Sequence, residues 1–257
     1  MRRIFLLLLL LFPSLSMSEG SSSKLFIMLD IDNTLLDKIA LKDNAANESY
    51  AAELKEKGLL VQKLDFYSVK GIDPFFDFYK KKKNSRMEMD IESEDKIKIT
   101  ETIVVRPSMK SFLEKLSHLN IPTYILICSR SGNERVKNLV EKLNLKINNK
   151  AFKDVVDFVP RENFRVDIKS GNGYKVIGKS AWDLRQKYSG KFGKIKESDY
   201  VVLIDQLEDH QFIYSNIKRD MNITISPFYS RSEAMISETE DDNTMELAIE
   251  RIRDFIK

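Results

Sequence analysis

Two aspartates separated by one residue, Asp30 and Asp32, follow an uninterrupted apolar run at residues 25–29. One carboxylate of such a pair can attack phosphorus and take the phosphoryl group as an aspartyl-phosphate, which divides hydrolysis into two easier displacements. The other can protonate the leaving alcohol and then deprotonate the attacking water. Asp also caps turns after strands. The pair therefore indicates phosphoryl chemistry only if further polar residues converge on it.

Such residues follow two other apolar runs. Ser129 comes after residues 124–128, and Asp205 comes after residues 200–204, with Asp209 one helical turn later. In an open parallel sheet, ligands bind beyond the carboxyl ends of the strands. We therefore expect these side chains to lie near the aspartate pair although they are distant in sequence.

Clustered carboxylates cannot approach an anionic phosphate unless a cation lies between them. A hard divalent ion with oxygen ligands neutralises this charge, and Mg²⁺ suits the arrangement. A hydroxyl and a lysine can then stabilise the equatorial phosphoryl oxygens in the transition state. The predicted magnesium ligands are the four carboxylates of this set, namely Asp30, Asp32, Asp205 and Asp209.

Apolar runs alternate with amphipathic stretches along most of the chain. The runs predict buried strands at residues 25–29, 124–128, 155–159, 200–204 and 222–225. The amphipathic stretches predict helices at residues 107–118, 133–143, 180–188 and 245–256. Continuous apolar strands that alternate with helices are typical of a parallel sheet covered on both faces. We therefore predict an α/β fold with a doubly wound, mostly parallel, Rossmann-like sheet over residues 24–257.

Residues 37–102 depart from this pattern, since they are polar, rich in lysine and short of regular strands. We interpret them as a cap-like insertion after the first strand, mostly helical, in which substrate specificity should lie. Its aromatic side chains are expected to pack the insertion onto the body of the protein; they are Phe66, Tyr67, Phe75, Phe76, Phe78 and Tyr79.

The first residues predict a secretory signal peptide at 1–18. Arg2 and Arg3 precede an apolar stretch at 4–12, and Ser16 and Ser18 follow at the spacing that a signal peptidase prefers. The stretch is about half of the roughly 20 residues that a membrane-spanning helix needs. An uncleaved anchor is the alternative. We expect a secreted or periplasmic protein with no stable membrane anchor after cleavage.

The overall charge balance excludes some classes of partner. The formal net charge is only +3, so no global field would hold nucleic acid or an anionic membrane. We interpret the basic run at 80–83 and the acidic run at 238–242 as solvated charge. Cys128 is the single cysteine of the sequence, so no intramolecular disulfide can form, and we expect it to pack in the core.

Residues 30–35, with the sequence DIDNTL, resemble the first motif of haloacid dehalogenase (HAD) superfamily phosphatases. The resemblance implies that Asp30 is the nucleophile and that Asp32 is the general acid and base. It also implies an HAD-like fold, an aspartyl-phosphate intermediate and dependence on Mg²⁺. Asn33 is expected to support the loop and not to react.

The remaining motifs of this superfamily have weaker counterparts. Ser129 resembles the second motif, and Asp205 with Asp209 resembles the metal-binding fourth. The third is a phosphate-binding lysine, for which we choose Lys179 because it precedes a helix start, where the backbone favours an anion. Two lysines of the same stretch stay as alternatives, Lys169 and Lys175.

Two subgroups of the superfamily fit different parts of the chain. Residues 205–209, the pair Ser129-Arg130 and the signal peptide resemble the secreted acid phosphatases of class B or C. Arg106-Pro107, the Lys179 region and residues 222–228 resemble the carboxy-terminal-domain phosphatases, which act on phosphoproteins. The sequence departs from the second group by Gln206, where an Asp is common, and by the serine hydroxyl in the second motif, where Thr is usual.

The expected activity is therefore hydrolysis of a phosphomonoester, either a small molecule or a phosphoprotein, with export favouring the acid phosphatases. Two alternatives stay open. The fold could serve as an exported binding protein, although the retained Asp30 favours an enzyme. The aspartyl-phosphate could also be passed to an acceptor other than water, which would make the protein a phosphotransferase.

Overall fold

The computed structural model describes residues 23–39, 44–69, 88–91, 96–129, 132–169, 175–206, 212–214, 218–230 and 238–257. The strands are β1 (Leu25–Leu29), β2 (Leu36–Lys38), β3 (Val61–Val69), β4 (Glu88–Ile91), β5 (Lys96–Val105), β6 (Thr123–Ile127), β7 (Lys146–Ile147), β8 (Lys150–Ala151), β9 (Val156–Phe158), β10 (Arg165–Lys169), β11 (Lys175–Ser180), β12 (Ser189–Gly190), β13 (Gly193–Lys194), β14 (Tyr200–Asp205), β15 (Phe212–Tyr214) and β16 (Asp220–Thr224). The α-helices are α1 (Asn44–Glu56), α2 (Met109–Leu116), α3 (Asn133–Lys142), α4 (Phe152–Val155), α5 (Ala181–Lys187) and α6 (Glu238–Phe255), and a 3₁₀ turn covers Arg161–Asn163.

The central sheet has five strands in the order β16-β14-β1-β6-β9, and every neighbouring pair is parallel. The chain builds outward from β1 through β6 to β9, and then returns to add β14 and β16 on the other side. The strand order therefore reverses beside β1, which is where a doubly wound sheet opens a crevice at its carboxyl edge. The predicted α/β fold class, with a mostly parallel Rossmann-like sheet, is confirmed.

Side chains of β1 alternate between two hydrophobic cores. Leu25, Ile27 and Leu29 pack in a core that also contains buried residues of α2, α3 and α6. Phe26 and Met28 pack in a second core on the opposite face, with buried residues of α5. Burial on both faces explains why the strand is uniformly apolar, since each side chain of this kind contributes roughly 1.5–3 kcal/mol when it leaves water.

The predicted helices are confirmed near the expected bounds. The inward face of α2 consists of Met109, Phe112, Leu113 and Leu116, all buried. In contrast, α6 begins at Glu238, earlier than the predicted residue 245. The acidic run at 238–242 is also not uniformly solvated, because the carboxylate of Asp241 is fully buried against Arg106. A partner distant in sequence thus extends this helix.

The predicted helical character of residues 37–102 is wrong for the described part of that segment. β2, β5 and β3 form an antiparallel sheet, with β4 also paired to β5, and α1 is the helix described there. The alternation of β5 explains this, because Ile97, Ile99 and Ile103 are buried while Lys98 lies between the first two. Phe66 is buried and Tyr67 is largely exposed, whereas the predicted aromatics at 75–79 lie outside the described residues.

Other predictions fall on residues that the structure does not describe. The signal peptide at 1–18, the basic run at 80–83, Arg130 and Asp209 are among them. Within the described ranges, none of the helices combines the length and the apolar character that crossing a bilayer would demand.

Candidate active site

Asp30 and Asp205 lie side by side at the carboxyl edge of the central sheet. Leu29 of β1 pairs with Ile204 of β14, so the next residue of each strand is an aspartate. The amide of Asp30 donates to the carbonyl of Ile204 at 3.1 Å, which continues the strand pairing up to Asp30. Adjacent strands are only about 4.8 Å apart. The fold therefore forces two buried carboxylates together.

Lys179 lies between these two carboxylates. Its Nζ donates to Asp30 Oδ1 and to Asp205 Oδ2, at 2.7 Å in each case. All three side chains are buried, and Lys179 has no exposed surface. The alternative lysines, Lys169 and Lys175, are paired in register at the opposite end of the β10–β11 pair. Lys179 is thus the lysine of the three that the structure brings to the aspartates.

The end of β11 fixes the position of this lysine. The amide of Ser180 donates to the carbonyl of Phe164 at 2.8 Å, and Ser180 Oγ accepts from the amide of Asp183 at 3.0 Å. The second bond is a helix N-cap, which stabilises the start of α5. Lys179 is therefore held one residue before a capped helix, as its position in the sequence predicted.

Asp30 and Lys179 shift each other's pKa. Burial raises the pKa of Asp30 to about 6, and repulsion from Asp205 and Asp32 adds to the shift, while the cation of Lys179 opposes it. Burial also lowers the pKa of Lys179, but its attraction to Asp30 and Asp205 outweighs this and holds the pKa above its ordinary value. The lysine therefore remains a cation at any physiological pH.

Asp32 has a different partner, which the sequence analysis did not identify. Arg135 Nη1 donates to Asp32 Oδ2 at 3.0 Å, and Nη2 donates to Asp32 Oδ1 at 2.8 Å. Arg135 Nε donates to Glu101 Oε2 at 2.7 Å. A sequence signal for Arg135 existed, because it lies four residues before Leu139, a predicted inward position of the same helix. A charge on the inward face of a helix needs a buried partner.

The turn after Asp32 is fixed by backbone hydrogen bonds. Asn33 has a φ of 59°, in the left-handed region that asparagine tolerates better than most residues. Its amide donates to the carbonyl of Leu36 at 2.7 Å, and its carbonyl accepts from the amide of Phe228 at 2.8 Å. The predicted supporting role of Asn33 is confirmed. The hydroxyl of Thr34 is buried without a hydrogen-bond partner among the described residues.

Ser129 and Cys128 lie at the end of β6, next to β1. Ser129 is buried and follows the strand at the same edge as Asp30. Cys128 is fully buried in the second core, as predicted, and its Sγ lies 3.6 Å from the carbonyl oxygen of Leu29. Burial raises the pKa of this thiol to about 12. A thiol with such a pKa is not a nucleophile at neutral pH.

The donor set suits a hard cation. No cluster of three or more His, Cys, Asp or Glu side chains with metal-binding geometry occurs among the described residues, and Asp209 lies outside them. However, Mg²⁺ commonly takes only one or two carboxylates and keeps several waters. Lys179 binds one oxygen each of Asp30 and Asp205. Carboxylate oxygens are the ligands that such an ion prefers, so the chemistry of Asp30 and Asp205 fits a magnesium ion.

Comparison with known proteins gave few similarities. No protein-family model matches the chain, and no curated protein matches it. Among solved structures, it is similar to a variant of the fission yeast RNA polymerase II CTD phosphatase Fcp1 bound to beryllium fluoride, with 16% sequence identity and a TM-score of 0.36. The match covers 91% of this chain and 53% of that chain, so this chain spans about half the length of that structure. The fold assignment rests on the sheet topology itself.

Proposed function

We propose that the protein is a magnesium-dependent phosphomonoester hydrolase of the HAD type, acting through an aspartyl-phosphate. The observation that carries the proposal is the Asp30–Lys179–Asp205 arrangement at the carboxyl edge of the central strands. It combines an aspartate that can act as a nucleophile with a fixed cation, at the place where a doubly wound sheet binds its ligands.

In the first step, Asp30 attacks phosphorus through Oδ2, the oxygen that does not accept from Lys179. The bond between Oδ2 and phosphorus forms while the bond from phosphorus to the leaving oxygen breaks. Asp32 gives its proton to that oxygen, so the alcohol leaves neutral. Lys179 and Ser129 stabilise the equatorial oxygens of the transferred group.

In the second step, Asp32 takes a proton from water, and the resulting hydroxide attacks the phosphorus of the aspartyl-phosphate. Inorganic phosphate leaves and Asp30 is restored as a carboxylate. The same residue thus acts first as an acid and then as a base, which requires its carboxyl group to be held at one place in both steps.

Asp30 and Asp205 would hold the magnesium ion, with Asp209 as a further predicted ligand outside the described residues. The ion would neutralise the charge between carboxylates and phosphate. Asp32 was also a predicted ligand, but both of its carboxylate oxygens accept from Arg135 in this structure. We therefore assign its carboxyl group to proton transfer.

Two further proposals concern the location of the protein and its substrate. We propose export by the segment at 1–18, on the basis of its charged, apolar and small-residue regions. The substrate is a phosphomonoester, either a small molecule, as for secreted acid phosphatases, or a phosphoprotein, as for carboxy-terminal-domain phosphatases. The motifs described above support both subgroups.

The direct test is hydrolysis of p-nitrophenyl phosphate and of an alkyl phosphate by residues 19–257, with magnesium and with EDTA. We expect turnover with magnesium, little with EDTA, and none for Asp30→Asn. Asp154→Asn is the matched control, because Asp154 is an exposed aspartate of α4. A wild-type protein without turnover on both substrates, or an Asp30→Asn variant with full activity, would refute the proposal.

A further inference from the structure

Four charged side chains of alternating sign form a closed ring beside the nucleophile. Arg135 bridges Asp32 and Glu101 through the hydrogen bonds given above. Lys38 closes the ring, with its Nζ 3.3 Å from Glu101 Oε1 and 3.7 Å from Asp32 Oδ1. The formal charges of the four groups cancel.

The ring joins three separate parts of the fold. Asp32 lies in the loop after β1, Arg135 lies in the first turn of α3, and Glu101 lies near the middle of β5 in the inserted sheet. The side chains of Arg135 and Glu101 are only 2% and 4% exposed. The buried Arg135 thus binds Asp32 from the interior, which restricts the motion of its carboxyl group.

The geometry leaves Asp32 able to react. A carboxylate has about four lone-pair sites, and a guanidinium fork uses one on each oxygen. The side chain of Asp32 is 35% exposed, so part of it faces away from the protein interior. The fork thus fixes the plane of the carboxyl group, and the exposed part of the side chain is where a leaving alcohol or a water molecule can approach.

We propose that Arg135 is a positioning residue for Asp32, and that Glu101 holds Arg135 in place from the inserted sheet. The inference rests on the proposed hydrolase function and extends it. In this role Arg135 does not bind the substrate. It sets the orientation in which Asp32 exchanges its proton. A misplacement of about 1 Å in such a group can slow a reaction about a hundredfold.

The test uses the signature of lost general acid catalysis. An alkyl leaving group needs the proton of Asp32 far more than nitrophenolate does, and general acid catalysis contributes about a hundred- to ten-thousand-fold. Arg135→Lys keeps the positive charge but lacks the planar fork. We expect it to lower kcat/KM for the alkyl phosphate, which reports the first step, at least about tenfold more than kcat/KM for p-nitrophenyl phosphate. Glu101→Gln should also impair cleavage of the alkyl phosphate more than cleavage of p-nitrophenyl phosphate, but to a smaller degree.

Arg185→Lys is the matched control. Arg185 is also a buried arginine, and its Nη2 donates to Asp220 at 2.5 Å and to the carbonyl of Asp199 at 2.9 Å. These partners lie at the amino ends of β14 and β16, opposite the site. We expect this variant to lower the activity on both substrates by the same factor, if it changes the activity at all.

The double variant of Arg135→Lys and Asp32→Asn completes the test. If Arg135 acts through Asp32, then Arg135→Lys should cause almost no further loss of alkyl phosphate cleavage in an Asp32→Asn background, because the two residues share one function. The positioning role would be overturned by an equal loss of kcat/KM on both substrates. It would also be overturned by full additivity in the double variant, or by an increase in KM with kcat unchanged. Absence of turnover in the wild type would instead refute the hydrolase function.

Discussion

The carboxylate of Asp241 in α6 accepts a hydrogen bond from Arg106, a residue 135 positions earlier in the chain. The same carboxylate accepts from the amide and the hydroxyl of Ser108, just before α2. Arg106 also donates to the carbonyl of Ser226 at 2.9 Å. One buried carboxylate thus joins the last helix of the chain to the start of α2 and to the segment after β16.

Replacing Asp241 with alanine should destabilise the protein strongly. The change leaves the buried guanidinium of Arg106 without its counter-charge, and breaking such a pair typically costs about 3–5 kcal/mol. Glu246→Ala is the matched control, since Glu246 lies in the same helix and pairs with Lys115 at the surface. Exposed pairs contribute about 0–1 kcal/mol. Urea denaturation measures both, and equal losses would show that the Arg106 pair is not structural.

The raised pKa of Asp30 predicts a dependence of stability on pH in EDTA. Between its ordinary pKa of 3.8 and the folded value of about 6, the folded protein binds more protons at this site than the unfolded chain does. The contribution of Asp30 to the free energy of unfolding therefore falls as pH rises through this window, by about 1–3 kcal/mol. The difference in stability between wild type and Asp30→Asn should change by this amount from pH 4 to pH 7. A constant difference would mean that Asp30 is not perturbed.

Magnesium should raise the melting temperature, because it binds to the folded state and relieves repulsion between the carboxylates. At a hundredfold excess over its Kd, the stabilisation is about 2.7 kcal/mol. Asp205→Asn should abolish most of this rise. Asp199→Asn should keep this rise, although its melting temperature without magnesium should be lower, since Asp199 accepts from the amides of Lys24 and Lys196 at the other end of β14. Equal rises in all three proteins would place the ion elsewhere.

Asp32→Asn should accumulate a phosphorylated protein. The variant can still form the aspartyl-phosphate from an aryl phosphate, but it lacks the base that activates water in the second step. Mass spectrometry after an acid quench should locate the added phosphoryl group on Asp30, and the double variant Asp30→Asn, Asp32→Asn should carry none. A phosphoryl group on Ser129 or on a histidine would contradict the mechanism.

Cleavage near Ser18 is expected during export. The mature protein should begin near Glu19 when it is recovered from outside the cytoplasm of its native host. Amino-terminal sequencing or intact mass measures this directly. An extracytoplasmic protein that retains Met1 would contradict the signal-peptide interpretation.

Local patterns in the sequence were sufficient for the central sheet. β1 is uniformly apolar because it is buried on both faces, and the apolar residues of α2 recur at helical spacing because one face is buried. Both patterns are visible within a short stretch of sequence. The positions of Asp30 and Asp205 at strand ends then placed them together. In β5, the buried Glu101 occupies an inward position between Ile99 and Ile103, which hid the alternation of the strand. This is why the inserted sheet was missed.

Charged residues with distant partners could not be predicted in the same way. Arg135 and Glu101 are 34 positions apart, and Arg135 and Asp32 are 103 positions apart. A pattern within a short stretch of sequence cannot reveal such a pair, although each buried charge requires a partner. The acidic run in α6 was misinterpreted for the same reason, since Arg106 lies far from Asp241.

Lys179 comes from β11, and this strand belongs to a three-stranded sheet separate from the central one. If β10 and β11 detached locally, Asp30 and Asp205 would be left as adjacent buried carboxylates without a cation, a loss of about 3–5 kcal/mol that is a large share of the stability of a typical domain. Amide hydrogens of β11 should therefore exchange with solvent almost as slowly as those of β1 when magnesium is absent. A peripheral hairpin would thus share the cooperative stability of the core, which also protects the lysine position from local fluctuations.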